Sequence, residues 1–265
     1  MSNGLSLEIN GAVAWLRMRR PEVANAIDSA LITEFDRLLN GLEGNLSIRC
    51  LVMTGEGATF SSGIDLRAIR QSLDKAHEDE AVVARGHLDH LVCRLLNFRI
   101  PIIAAVNGAA IGAGMTLALT ADLIVMAEDA YLEPSFTRLG FVPDQGITYL
   151  LPHLIGAARS RAVLMLAERI NAQDALSWGL AYRSFPAQTF VEGVNALASR
   201  LATGPSWVLG ATRRLWYRGD SSQLKAHMKE ERSAQESALR QGECLEGVEA
   251  FLQKRQPTFC DRPRK

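Results

Sequence analysis

Two glycine-bearing turns lie where an apolar run of the chain gives way to a helical pattern. In one of them, the apolar run 102–106 predicts a buried strand, and the small residues Gly112, Ala113 and Gly114 open the helix that follows. Backbone amides at such a helix start suit an anion, or a carbonyl oxygen that becomes negative during a reaction. Alternatively, the glycines only allow the strand and the helix to pack closely. This stretch alone supports both interpretations equally.

The other turn has a similar design. A strand over 48–54 leads into a glycine-bearing loop, and a helix is predicted to begin near Asp65. Ser62 and Gly63 therefore place small side chains just before a second helix start. A catalytic role for the first turn requires a second amide donor and a reactive side chain, and this loop is a candidate for the donor.

Composition and charge restrict the class of protein. The chain has 265 residues, of which 48% are hydrophobic, and its 29 basic and 29 acidic residues cancel. It can bury a large core, and its bulk charge does not indicate nucleic acid or an anionic membrane as a partner. The four cysteines are scattered, and neither a secretory leader nor a membrane-length apolar run is evident. We therefore expect a cytoplasmic protein with reduced thiols.

The two turns belong to a recurring pattern of strand, loop and helix. Residues 5–9 and 12–18 predict two strands joined as a hairpin at Asn10-Gly11. Strand, loop and helix then recur at intervals of roughly 50 residues, which suggests a coiled architecture of similar turns. After about residue 187 only helical patterns remain. We predict an α/β core over 1–203 and a helical region over 204–265.

Four segments together resemble the crotonase (enoyl-CoA hydratase/isomerase) superfamily. In one-letter code they are GEGATFSSGIDL at 55–66, AVNGAAIGAG at 105–114, LGFVPD at 139–144 and AFLQKRQPTF at 250–259. The resemblance implies a crotonase-like ββα spiral core that binds an acyl-CoA thioester. It also implies that the C-terminal helices form a homotrimer or a dimer of trimers. Coenzyme A would be part of the substrate, so neither a separate cofactor nor a metal is expected.

The resemblance implies an oxyanion hole at the two turns. It would consist of the backbone N–H of Ile64, after Ser62-Gly63, and the N–H of Ala113, after Gly112. Two such donors stabilise the enolate that forms when an α-proton leaves a thioester. Losing one donor typically raises the barrier by about 2.7 to 4 kcal/mol.

The carboxylates of a hydratase are missing from the expected positions. A hydratase of this superfamily uses two glutamates, and the corresponding positions here are Thr116 and either Phe136 or Ser135. Adding water to a double bond needs one group to deprotonate the water and one to protonate the carbon. The sequence therefore lacks the usual hydratase pair.

Asp144 remains as the candidate catalytic carboxylate. It follows Pro143, where members of the superfamily that isomerise or substitute often carry their working aspartate. One carboxylate can remove a proton from C2 of a 3-enoyl-CoA and return it to C4. The alternative is that Asp144 is only the N-cap of a helix predicted from about residue 145.

The resemblance also implies contacts to the rest of the acyl-CoA. Ala24 and Ala26 match a segment whose backbone meets the adenine and pantetheine, and Leu66 would complete the cleft. Phe251 and Lys254 match positions that contact the adenine and its 3′-phosphate across a trimer interface, although Lys254 is equally well explained as a solvated lysine. The remaining residues predicted to contact substrate are Ser62, Gly63, Gly112 and Phe136.

Other chemistries have little support in the sequence. The dinucleotide fingerprint is incomplete, no Walker A or Gly-x-Ser-x-Gly sequence occurs, and the five histidines show no metal-ligand spacing. We expect an acyl-CoA isomerase of the Δ3,Δ2-enoyl type or a related ring-isomerising enzyme. The alternatives are a hydratase with atypical acid and base groups, a thioester hydrolase or dehalogenase that uses Asp144, and a non-catalytic acyl-CoA binding protein.

Overall fold

The computed structural model describes residues 4–74, 78–218 and 221–259. Its strands, in chain order, are β1 Leu5–Asn10, β2 Val13–Met18, β3 Cys50–Gly55, β4 Thr59–Ser61, β5 Ile102–Val106, β6 Ala109–Ile111, β7 Leu123–Ala127, β8 Tyr131–Glu133, β9 Ile170–Asn171 and β10 Arg183–Phe185. Its α-helices are α1 Ser29–Gly44, α2 Leu66–Asp74, α3 Glu78–Leu96, α4 Ala113–Leu119, α5 Ile147–Ile155, α6 Ala157–Leu166, α7 Ala172–Ser177, α8 Phe190–Thr203, α9 Ser206–Arg218, α10 Ser221–Gln241 and α11 Glu243–Leu252.

A six-stranded sheet forms the larger layer of the core, in the order β1-β2-β3-β5-β7-β10. The predicted hairpin is confirmed, because β1 and β2 pair antiparallel around the turn at Asn10-Gly11. The remaining neighbours in this sheet pair in parallel. Every residue of β3 and β5 is buried, as expected for parallel strands covered on both faces.

A smaller sheet, in the order β4-β6-β8-β9, lies beside the large one. Its first three strands each follow a strand of the large sheet, so that β3 leads to β4, β5 to β6 and β7 to β8. A helix follows each pair. This repetition is a ββα spiral and confirms the coiled architecture predicted from the recurring turns.

The short strands β4, β6, β9 and β10 are not predicted by the sequence pattern. Each has only two or three residues, too few to show a hydrophobic period. In the sequence, β4 and β6 belong to the glycine-bearing loops. The structure shows that each loop contains a short paired strand, which fixes the position of the helix start behind it.

The helices after Thr203 pack onto the spiral and are joined to it by buried polar contacts. Arg213 of α9 is 4% exposed, and its guanidinium donates to the carbonyl oxygens of Leu96, Phe98 and Thr120 and to the carboxylate of Asp122. Leu96 ends α3, Phe98 lies between α3 and β5, and Thr120 and Asp122 lie between α4 and β7, so these acceptors come from two separate parts of the core. Within the described part of the chain, no helix combines the length and the apolar character needed to cross a bilayer.

Candidate functional site

A cavity of about 250 Å³ lies where the two glycine-bearing turns meet. The turns contribute Ser62, Gly63, Ile64, Gly112 and Ala113 to its wall. The apolar part of the lining consists of Leu66, Ile69, Ile111, Phe136, Leu139, Phe141 and Phe251. The polar and charged side chains that line it are Glu133, Ser135, Arg138, Asp144, Gln145 and Arg169. A mostly hydrocarbon ligand with a few polar groups would match this wall.

Glycine is required where the two turns approach each other. A Cβ atom on Gly63, whose φ is +85°, would lie 2.6 Å from the carbonyl oxygen of Ile111 and 3.2 Å from the amide nitrogen of Ala113. A Cβ on Gly114 would lie 2.5 Å from the carbonyl oxygen of Ser61. Both contacts are too close for a side chain. The glycines therefore do allow close packing, and the same packing brings the two predicted donor segments together.

Ile64 and Ala113 line the cavity at these turns. On either side of Ile64, the Gly63 amide donates to Ser61 Oγ at 3.2 Å and the Asp65 amide donates to the Ile27 carbonyl at 3.0 Å. Ala113 is the first residue of α4, whose N-cap, Gly112, has no capping side chain. Amides in the first turn of a helix have no acceptor within the helix. The use of these two N–H groups as an oxyanion hole stays a prediction.

Asp144 lies in the cavity wall and is 8% exposed. The helix that follows, α5, begins at Ile147, and its N-cap residue is Gly146. The amides of Gly146 and Thr148 donate to the carboxylate of Glu231 at 2.7 and 3.1 Å. The carboxylate of Glu231, a residue of α10, therefore caps the first turn of α5.

A second residue of α10 holds the other side of the Asp144 segment. Gln235 is 1% exposed, and its Oε1 accepts a hydrogen bond of 2.6 Å from the amide of Val142. Burial raises the pKa of Glu231, and hydrogen bonds from Thr148 and Gly146 partly oppose that shift. Glu231 and Gln235 thus anchor the backbone two residues before and two residues after Asp144. The sequence gives no local signal for these anchors, because they lie more than 80 residues further along the chain.

The structure places no carboxylate at the two hydratase positions. Thr116 is fully buried in α4, and its hydroxyl is 3.4 Å from the Gly112 carbonyl oxygen, to which it donates. Phe136 lines the cavity with an apolar ring. Ser135, the other possible match, is close to the Gly112 turn, since a Cβ on Gly112 would lie 3.5 Å from Ser135 Oγ.

Glu133 is a carboxylate in the cavity wall that sequence reasoning missed. Its side chain is 4% exposed and lies 2.6 Å from Arg138 Nη2 and 2.5 Å from Arg169 Nε. Two guanidinium groups therefore compensate its charge. Its position at the end of a short strand just before the expected glutamate region is the only hint in the sequence.

Among the residues described, no group of three or more His, Cys, Asp or Glu side chains is arranged to hold a metal ion.

The residues predicted to contact coenzyme A are divided between the cavity and the surface. The carbonyl oxygen of Ala24 accepts from the Ser62 amide at 2.9 Å, so the segment of Ala24 and Ala26 lies against the Ser62-Gly63 turn without lining the cavity. Phe251 lines the cavity of its own chain while remaining 59% exposed. The contact of Phe251 with coenzyme A across a trimer interface stays a prediction. Lys254 is exposed and lies outside the cavity lining.

Comparison with known proteins gives consistent matches over almost the whole chain. The sequence model of the enoyl-CoA hydratase/isomerase family matches residues 8–262. A protein of Rhodobacter capsulatus, named as a probable enoyl-CoA hydratase, is 37% identical over 257 residues, which cover 96% of this chain and 97% of that protein. The 1,2-epoxyphenylacetyl-CoA isomerase of Escherichia coli is 34% identical over 251 residues, covering 95% and 96%. The crystal structure of an enoyl-CoA hydratase from Mycobacterium avium subsp. paratuberculosis matches with a TM-score of 0.86 at 27% identity, covering 97% of this chain and 99% of that one.

Proposed function

Because this chain belongs to the enoyl-CoA hydratase/isomerase family, we propose that it is an acyl-CoA isomerase of the Δ3,Δ2-enoyl type or of a related ring-isomerising type. The observation that carries this proposal is the set of groups around the cavity. Asp144 lines it together with the two amide turns, whereas Thr116 and Phe136 occupy the positions of the hydratase glutamates. The relative named as a 1,2-epoxyphenylacetyl-CoA isomerase supports a rearrangement of an acyl-CoA as the reaction.

The proposed reaction moves one proton and one double bond. The thioester oxygen accepts hydrogen bonds from the N–H groups of Ile64 and Ala113. The carboxylate of Asp144 takes a proton from C2 of a 3-enoyl-CoA. The electron pair of the broken C2–H bond is then delocalised onto the thioester oxygen, which gives a dienolate. The two amides stabilise the developing negative charge. Asp144 then returns the proton to C4, the double bond forms between C2 and C3, and the carboxylate is regenerated.

A hydratase with an atypical acid or base is the second candidate, and Glu133 is the observation that favours it. Glu133 is a carboxylate of the cavity wall, and a relative is named as a hydratase. Both oxygens of the Glu133 carboxylate are paired with the guanidinium groups of Arg138 and Arg169, so this side chain is not free both to deprotonate a water molecule and to protonate a carbon. Hydration needs both steps, which makes isomerisation the better match.

Parallel rate measurements on one preparation test the proposal. We expect isomerisation of a 3-enoyl-CoA to exceed hydration of a 2-enoyl-CoA by at least about 10²- to 10⁴-fold, the usual contribution of acid and base groups that hydration lacks here. Substrates of several chain lengths, including cyclic acyl groups, should be compared. Efficient hydration of crotonyl-CoA beside negligible isomerisation would show that the isomerase assignment is wrong.

Variants at the two carboxylates separate the candidates. Asp144→Asn keeps the shape of the side chain but removes the base, so turnover should disappear while acyl-CoA affinity, measured by calorimetry, is retained. Ser135→Ala, another change in the cavity wall, is the matched control and should retain isomerisation. Glu133→Gln should also retain isomerisation. If Asp144→Asn isomerises at the normal rate, or if Glu133→Gln alone abolishes activity, the proposed role of Asp144 is refuted.

A further inference from the structure

Gln145 follows Asp144 and lines the same cavity. Its side chain is 1% exposed, and among the described residues neither its Oε1 nor its Nε2 has a hydrogen-bond partner. An amide that is buried in this way has lost its hydrogen bonds to water without replacing them. Such groups are rare in native proteins, and each one needs an explanation.

The backbone at Gln145 is also unusual and is firmly held. Its φ is +63°, in the left-handed region that glycine prefers and other residues seldom adopt. The hydrogen bonds from Val142 to Gln235 and from Gly146 to Glu231 anchor the segment on both sides. The left-handed conformation is therefore imposed by the packing of α10. It keeps a polar side chain in the cavity wall instead of releasing it to solvent.

The surroundings of Gln145 in the cavity define what it could bind. Phe136, Phe141 and Leu139 supply apolar surface, and Glu133 is already paired with arginines. Gln145 therefore adds a neutral donor and a neutral acceptor to a largely apolar wall. Its position next to Asp144 puts these groups beside the part of the ligand on which Asp144 would act.

We propose that Gln145 binds a neutral oxygen carried by the acyl group of the substrate. This inference rests on the proposed function insofar as the cavity must hold the acyl part of a CoA thioester. A hydroxyl group can form hydrogen bonds with both unpartnered atoms of Gln145, because Oε1 accepts the hydrogen of the hydroxyl while Nε2 donates to its oxygen. An ether or ketone oxygen would use Nε2 alone, and a carboxylate would be repelled by Oε1.

The chemical class of substrate follows from this assignment. A purely hydrocarbon acyl group leaves the amide without partners, and sites built to hydrogen-bond an oxygen discriminate strongly against analogues that lack it. The substrate class is thus an oxygenated acyl-CoA, with the oxygen near the carbons between which the proton moves. A plain aliphatic enoyl-CoA would be a poor substrate by comparison.

Ligands that cannot react allow the assignment to be tested by binding alone. Phenylacetyl-CoA and its 2-, 3- and 4-hydroxyphenyl counterparts differ by one hydroxyl group, and none has an enoyl double bond to move. By calorimetry, the unmodified protein should bind at least one hydroxylated ligand about 10- to 100-fold more tightly than phenylacetyl-CoA. Gln145→Met, which is also unbranched at Cβ and of similar length, should lose that preference. Leu139→Met, a change of shape in the same wall, should keep it.

The outcomes distinguish this inference from the proposed isomerase activity. If no hydroxylated ligand is preferred, or if Gln145→Met weakens binding of all four ligands equally, Gln145 does not hydrogen-bond an oxygen of the ligand and the inference is wrong. A preference that depends on Gln145 supports the inference even if no 3-enoyl-CoA is isomerised, in which case only the isomerase proposal fails. If the unmodified protein isomerises a 3-enoyl-CoA but shows no preference for a hydroxylated ligand, only the inference about Gln145 is refuted and the isomerase proposal stands.

Discussion

The thiol of Cys50 lies inside the large sheet, on β3, with no exposed surface. Burial raises the pKa of this thiol from 9.0 to about 12, and the negative charge of Asp122 adds to the shift. The folded pKa is therefore higher than the unfolded one. The neutral thiol contributes its full stability below about pH 9, and this contribution is lost as the pH rises towards about 12.

We predict that Cys50→Ala makes the protein less sensitive to alkali. The variant has a cavity and is less stable near neutral pH, but it has no thiol to deprotonate. Between about pH 9 and about pH 11 the unmodified protein should lose stability relative to the variant by about 1 kcal/mol per pH unit. Urea unfolding at several pH values measures this difference. Parallel stability profiles for the two proteins would contradict the prediction.

Local sequence identifies some residues of the site and misses others for a physical reason. Ile64, Ala113 and Asp144, which line the cavity, could be singled out because each belongs to a compact sequence motif. Gln145 and Glu133 could not be singled out in this way. Their importance depends on burial and on partners from distant segments, such as Arg169, which is 36 residues after Glu133. No pattern of neighbouring residues reports such contacts.

At the scale of secondary structure, α10 is the element that positions the Asp144 segment. We predict that Glu231→Gln loosens this segment, because the amide nitrogen of the new side chain must face one of the backbone donors at Gly146 and Thr148. The free energy of unfolding should fall by about 1 to 3 kcal/mol. With Asp144 less well placed, kcat should fall by about 10- to 100-fold with little change in KM.

Glu230→Gln is the matched control for this prediction. Glu230 is the preceding residue on the same helix and is exposed, so the same change of charge removes no buried contact. Its stability and kcat should stay close to those of the unmodified protein. If Glu231→Gln and Glu230→Gln behave alike in steady-state kinetics and thermal unfolding, α10 does not position the Asp144 segment.

The elements themselves could be predicted where the sequence pattern is long enough. The fully buried strands β3 and β5 are continuous apolar runs, and α1 has its apolar residues on one face with Asp28 at the N-cap. The positions of the short strands depend on pairing in the small sheet. That pairing is a tertiary property, so it could not be read from two or three residues.

At the scale of the whole molecule, α9 exposes an unusually apolar surface. Trp207 is 78% exposed, Leu215 is 74% exposed and Trp216 is 78% exposed. Large apolar surfaces of this kind mark sites of protein association. We predict that these side chains are covered by neighbouring copies of the chain in a trimer or a dimer of trimers. Light scattering at micromolar concentration should show that mass.

A charge placed on this surface should weaken the assembly. Trp216→Glu would bury a carboxylate between subunits and should shift the protein towards monomers. Met165→Glu is the control, because Met165 is 74% exposed, about as much as Trp216, but lies on α6 rather than on α9. A stable monomer in the unmodified protein, or equal dissociation of both variants, would contradict the predicted interface.

The buried contacts of Arg213 have a consequence for the protein during its synthesis. Arg213 follows Leu96 by 117 residues and Asp122 by 91 residues. A ribosome that adds about 5 to 20 residues per second delivers it on the order of 10 s after Asp122. Until then the carbonyl groups that it will bind must stay hydrated. We therefore predict that residues 96–122 complete their packing only after Arg213 has been synthesised.

Stalled ribosomes offer a direct test of this delay. Chains stalled after Thr203 should leave residues 96–122 open to a protease, whereas chains long enough for α9 to emerge should protect them. In an Arg213→Leu chain of the longer length, residues 96–122 should remain accessible to the protease, since α9 then brings no donor to their unpaired carbonyl groups. Protection already present at Thr203 would mean that the spiral closes by itself. If protection instead appears only with the longer chains, α9 completes the packing of core segments that were synthesised about a hundred residues earlier.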